Sequence, residues 1–276
     1  MHSSYETSKT DLIMRSHSLL ILATVVATLG LITLGGIVRV TESGLGCPDW
    51  PLCHGRLIPP AEYHALIEYS HRMLASLVGM MVILSAALAW WRLRNARIML
   101  TALTISVLLI GIAAWLGRSA VLSALAPTTV TIHLMTAQTI FAMLLIAWVW
   151  SQPTRTHKAI TSSGVSHERN HSFRLWTLAS AITMFVVLVS GSYVVGQGAG
   201  TACPSWPMCH DGLLPDLTVG WIHMAHRGLA AAAAILAGWT IRLGWRSRHG
   251  SHTTRSISLI AGILLVIQMI VGAANP

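Results

Sequence analysis

A carboxylate and a small set of imidazoles, all placed in apolar surroundings, are where this sequence could do chemistry. Glu68, His71 and Arg72 fall in one pentapeptide, Glu68-Tyr69-Ser70-His71-Arg72, at the head of an apolar run. A second stretch, His223-Met224-Ala225-His226-Arg227, opens another run about half a chain later, and His133 stands near the head of a third. Ionisable groups inside such runs are costly and mark sites by default. A carboxylate beside imidazoles can move protons, and imidazoles can ligate a metal. Each residue also has an ordinary reading. An intramembrane His can simply hydrogen-bond a neighbouring helix, and Glu68 can be an interfacial carboxylate paired with Arg72 or Arg39.

The elements that must carry these residues are set by composition. A chain of 276 residues that is 54% hydrophobic and 10% charged, with mean hydropathy +0.64, is too apolar for a soluble domain. Seven apolar runs, near 18–40, 67–91, 98–117, 130–150, 175–196, 221–241 and 257–273, match the length of bilayer-spanning helices. The first is too long for a signal-peptide core, lacks a cleavage site and is expected to remain in the mature protein. The formal charge of +9 forms no compact basic patch, which argues against nucleic acid.

That charge reads as topology. Lys9 and Arg15, with the basic residues of the segments after the second, fourth and sixth runs, make 13 of the 18 Lys and Arg. They place the N-terminus and those linkers in the cytoplasm. Arg39, Arg56, Arg72, Arg118 and Arg227 fall on the outer side, either snorkelling to headgroups or pairing with an anionic ligand. The sequence thus divides into a cytoplasmic leader, 1–17, a four-helix half, 18–150, a cytoplasmic linker, 151–174, and a second half, 175–276.

The halves repeat. Gly44, Cys47, Pro48, Trp50, Pro51, Cys53 and His54 match Gly200, Cys203, Pro204, Trp206, Pro207, Cys209 and His210 at an offset of 156, as Gly35 matches Gly191. His71-Arg72 match His226-Arg227 at an offset of 155. The fold class is therefore an all-α integral membrane protein, a tandem parallel repeat of a four-helix transmembrane bundle. Seven helices are present and an eighth is expected beyond the chain end, carrying the counterpart of His133.

With that frame the histidines gain a geometry. The second and fourth runs point the same way, and His71 and His133 lie at similar depth, roughly one turn below the outer end. Two such imidazoles can face one iron across a flat macrocycle, which makes heme the leading reading over a hydrogen-bonded pair or a small-ion site. His226 repeats the position in the sixth run, with its partner expected in the eighth helix. Glu68 sits one turn above His71, whereas the second copy has His223 there and no acid. The halves therefore divide labour, one for proton-coupled chemistry and one for holding a cofactor. The histidines of the leader and linkers, such as His157, His167, His171, His249 and His252, are expected to be solvated.

The four cysteines form two Cys-x5-Cys pairs on the outer face. One disulfide within each loop, Cys47 with Cys53 and Cys203 with Cys209, stapling a cap over the bundle, is the main expectation; redox-active pairs are the alternative.

These residues resemble a known family. Gly35-Gly36-x-Val38-Arg39-x-Thr41-x-Ser43-Gly44-Leu45-x-Cys47-Pro48-Asp49-Trp50-Pro51-x-Cys53, then Glu68-x-x-His71-Arg72, His133-Leu134, Cys203-Pro204-x-Trp206-Pro207-x-Cys209 and His226-Arg227 are similar to the bacterial heme A synthase family, from about Leu19 to the end. The resemblance implies an eight-helix enzyme of the bacterial cell membrane that oxidises the C8 methyl of heme O to a formyl group, giving heme A for terminal oxidases. It implies that His71 and His133 flank heme O as substrate, that Glu68 serves catalysis, and that His226 holds a heme b cofactor. Arg39 and Arg72 first, and Arg227 in the second copy, are then expected to hold propionates. Implied partners are the lipid bilayer, a heme O-producing enzyme and a quinone or other electron acceptor; a homo-oligomer is compatible with the sequence. Alternatives from other classes are a bis-histidine electron carrier linked to quinone, an outer-face thiol oxidase and a purely structural assembly factor.

Overall fold

A computed structural model of the chain describes residues 2–152, 167–205, 209, 215, 218–246 and 252–274. Arg155, His157, Lys158, Trp206, Pro207, His210, Arg248 and His249 of the motifs and linkers above lie outside the described residues. The long helices are α1 (His2–Val40), α2 (Tyr63–Arg92), α3 (Arg97–Leu122), α4 (Pro127–Trp150), α5 (His167–Gly196), α6 (Thr218–Arg246) and α7 (His252–Ala274). All seven predicted runs are helices long and apolar enough to cross a membrane. The protein is an all-α integral membrane protein, with no strand among the described residues.

The helices start earlier than the apolar runs predict. α1 begins in the polar leader because nothing from His2 to Leu29 is Gly or Pro, so no residue there breaks a helix. α4 begins with Pro127 in its first turn, where a missing N–H leaves nothing unsatisfied. His17, in the supposedly solvated leader, is only 4% exposed, and its Nε2 lies 2.9 Å from the Ser85 carbonyl oxygen of α2. The expectation of a solvated side chain fails there because the bundle extends past the end of the apolar run.

The chain forms two compact units, Met1–Lys158 and Ala159–Pro276. In the first, α1 packs on α2, α2 on α3, α3 on α4 and α4 back on α1, a closed ring of four helices. Its core is Ile21 of α1, Val78, Val82 and Ala86 of α2, Met99 and Leu103 of α3, and Ile140 and Leu144 of α4. A side-chain bond from Gln152 Nε2 to Ser18 Oγ, 2.9 Å, ties the end of α4 to α1. In the second unit α6 packs against both α5 and α7. Large apolar side chains also cover the outside, among them Leu19, Ile83, Leu108, Ile263 and Ile270, each more than half exposed, as lipid contact requires. Trp90, Trp91, Trp150, Trp221 and Trp245 gather near helix ends, the pattern of interfacial aromatic belts.

The repeat is visible in the local structure. α1 and α5 each end in a left-handed residue, Glu42 with φ 54° and Gly198 with φ 64°, followed by a 3-10 turn, Ser43–Leu45 and Ala199–Thr201. Only glycine takes that conformation freely, so the second copy has the easier residue. Both turns feed a disulfide loop, Cys47–Cys53 and Cys203–Cys209.

Candidate functional site

The site is built at the loop-bearing end of each unit. His71 is eight residues into α2 and His133 six residues into α4, so at 1.5 Å per residue they lie about 12 and 9 Å below their helix ends. That is about two turns, deeper than the sequence predicts because both helices start early. The two rings are near enough for a charge on one to be felt by the other. Among the described residues His71 makes no hydrogen bond, and the Nδ1 of His133 is buried without a partner.

A feature the sequence reading missed explains how the rings fit. Each candidate ligand lies over a glycine of the preceding helix. A Cβ on Gly35 would stand 3.2 Å from His71 Nε2, one on Gly117 3.4 Å from His133 Cε1, and one on Gly191 3.3 Å from His226 Cε1. These are tight contacts, so any larger residue would push on the ring. The repeated pair Gly35 and Gly191 was the available signal; Gly117, with no counterpart matched by motif, carried none.

Glu68, 6% exposed, pairs with Arg72, Oε1 to Nε 3.0 Å. The same guanidinium reaches into the disulfide loop: Nη1 donates to the carbonyls of Asp49 (2.8 Å) and Leu52 (2.9 Å), and Nη2 to that of Cys47 (2.8 Å). Arg227 repeats this on Ser205 (2.7 Å) and Cys203 (2.8 Å). The arginines expected to hold propionates are thus engaged in clamping the caps, while Arg39 is exposed at the end of α1. Within the first cap, Asp49 accepts from the amides of His54 and Gly55, each 2.7 Å, and the Gly55 amide first holds its carboxyl below the usual 3.8. All four cysteines are buried, Cys209 at 1% and the others at 0%.

In the second unit His223 takes the place of Glu68. It is 7% exposed, and among the described residues its Nδ1 is buried without a partner. One turn deeper, Nδ1 of His226 lies 2.7 Å from Ser190 Oγ. Among the described residues no three His, Cys, Asp or Glu converge as a small-ion site would need. What the residues do fit is a flat macrocycle: paired imidazoles with available nitrogens, seated where a glycine gives them room.

The chain matches the family model COX15-CtaA, cytochrome oxidase assembly protein, over residues 18–65 and 61–275. It belongs to that family. Relatives within reach of it are heme A synthases. That of Geobacillus kaustophilus is 30% identical over 264 residues, covering 91% of this chain and 79% of the relative. That of Exiguobacterium sibiricum is 31% identical over 248 residues, 87% and 78% of the two chains. That of Staphylococcus carnosus is 29% identical over 262 residues, 92% and 82%. The match to COX15-CtaA runs through both units.

Proposed function

We propose that this member of COX15-CtaA is an oxidoreductase of heme A biosynthesis that converts the C8 methyl of heme O to a formyl group. The observation that carries the reading is the meeting of His71 and His133, each seated on a glycine, beneath a buried Glu68. The heme A synthase names of the relatives supply the reaction class.

A methyl on a porphyrin is open to oxidation because charge left on its carbon spreads into the macrocycle, so the protein mainly orients the substrate and excludes side reactions. His71 and His133 hold heme O from its two faces. Two oxidations, each removing two electrons and two protons and adding the oxygen of one water, take the methyl through the alcohol to a gem-diol, and loss of water leaves the aldehyde. Glu68 moves the protons. Its ion pair with Arg72 keeps a carboxylate in a site that would otherwise expel charge. Arg39, exposed at the end of α1, is an outer cation for a propionate, and Arg72 and Arg227 act on that region through the caps they hold. In the second unit His226 holds a heme b, which when bound supplies one-electron transfer. A quinone is the class of membrane acceptor that would take the electrons onward, and a heme O-producing enzyme feeds the site.

The basic segments that follow α2, α4 and α6 face the cytoplasm of a bacterial cell, and both disulfide loops face outward. The fully buried sulfurs support a stapling role over thiol chemistry.

The test is to express the chain in membranes supplied with heme O and identify the extracted hemes by chromatography and mass. Heme A or its hydroxylated precursor is the expected product. Heme B alone would favour an electron carrier and overturn the reading. Glu68→Ala is expected to bind heme O and stall there or at the alcohol; normal aldehyde yield from it would remove Glu68 from the mechanism.

A further inference from the structure

The two units differ at one position behind the ligand. Ser190 Oγ donates its single hydrogen to the Val187 carbonyl, 2.9 Å away, one turn back in its own helix. With that hydrogen on the carbonyl, the hydroxyl oxygen is left to accept from Nδ1–H in its 2.7 Å contact with His226. A neutral imidazole carries one N–H, so the contact sets the tautomer and leaves the lone pair on Nε2. At the matching register of α1, one residue before the glycine under His71, the residue is Leu34, which can accept nothing. His71 accordingly has no hydrogen-bond partner among the described residues, although it too lies over a glycine, Gly35.

We propose that Ser190 is a positioning residue that makes His226 a permanent heme ligand, while Leu34 leaves His71 an exchangeable one, so that the second unit retains its heme and the first releases it. The proposal rests on the reading of both histidines as heme ligands. A hydrogen bond to the distal nitrogen orients a ligating imidazole and raises its basicity, strengthening the bond to the metal and favouring the oxidised ion. A resident electron-transfer group needs that grip. A substrate that must leave as product is better served by an imidazole without it.

The experiment uses the full chain, purified with its hemes, and follows heme transfer to excess apomyoglobin together with a spectroelectrochemical titration. His226→Ala identifies the slow phase and the low-potential heme as those of the second unit. Ser190→Ala is expected to speed that phase roughly 10–100-fold and raise that heme's midpoint potential, with Ser190→Thr restoring both. Leu34→Ser is expected to slow the phase of the first unit. Unchanged retention and potential in both Ser190→Ala and Leu34→Ser, with His226→Ala still losing its heme, would overturn the proposal and leave the ligand assignment standing. A full heme complement in His226→Ala would overturn the ligand assignment and the proposal with it.

Discussion

Arg72 shows how much one side chain carries here. It joins Glu68 and three loop carbonyls at once, and a planar guanidinium can do this where an ammonium cannot. Arg72→Ala should cost about 3–5 kcal/mol, since it leaves a buried carboxylate without its partner, and Arg72→Lys should recover little of it. Thermal unfolding in detergent checks both. Asp49 gives a second expectation. Its pKa lies below the usual carboxylate value in the folded loop, so its bonds to Gly55 and His54 contribute fully above pH 3.8 and are lost as pH falls through the lower folded value. Fluorescence of Trp50 should follow that loss, and Asp49→Asn should flatten the profile. At this scale the sequence showed which residues matter better than what they touch. Glu68, His71, His133 and His226 stood out because charge and imidazole are rare in apolar runs. The engagement of Arg72 did not, because its acceptors are backbone carbonyls and every residue has one. Ser190 was equally hidden, since a serine in a helix signals nothing until the ring across from it is known.

Helices α1, α3 and α5 each offer a glycine to an imidazole on the next helix, and the effect is positional. Gly35 faces His71, but nothing lies within 4 Å of where a Cβ on Gly36 would be. Gly35→Ala should displace the His71 ring and reduce heme binding, seen as a shifted or weakened Soret band. Gly36→Ala should leave the spectrum alone and favour the helix by about 1 kcal/mol. The positions of all seven helices were legible because a bilayer demands unbroken apolar runs. Their starts were not, since helix continues into polar sequence until something stops it. His17 is the case in point, a polar-leader residue that the packing of α1 on α2 buries.

For the molecule as a whole, the repeat was readable because motif residues recur at nearly one offset, and the paired left-handed turns, disulfide loops and arginine clamps express the same duplication in three dimensions. Sidedness is the property left for experiment. Single cysteines placed at Arg94 and Ser172 in the full chain should react with a membrane-impermeant maleimide only after the membrane is opened, whereas one at Leu57 should react in intact cells. Reversed labelling would invert the topology. The arginine clamps also have a mechanical side. Arg72 is the residue next to His71, and Arg227 the one next to His226, so each cap is fastened to its helix one peptide from the imidazole. A pull on the disulfide loop becomes a torque at that point. Each disulfide loop is thus a handle on the helix turn that carries the imidazole.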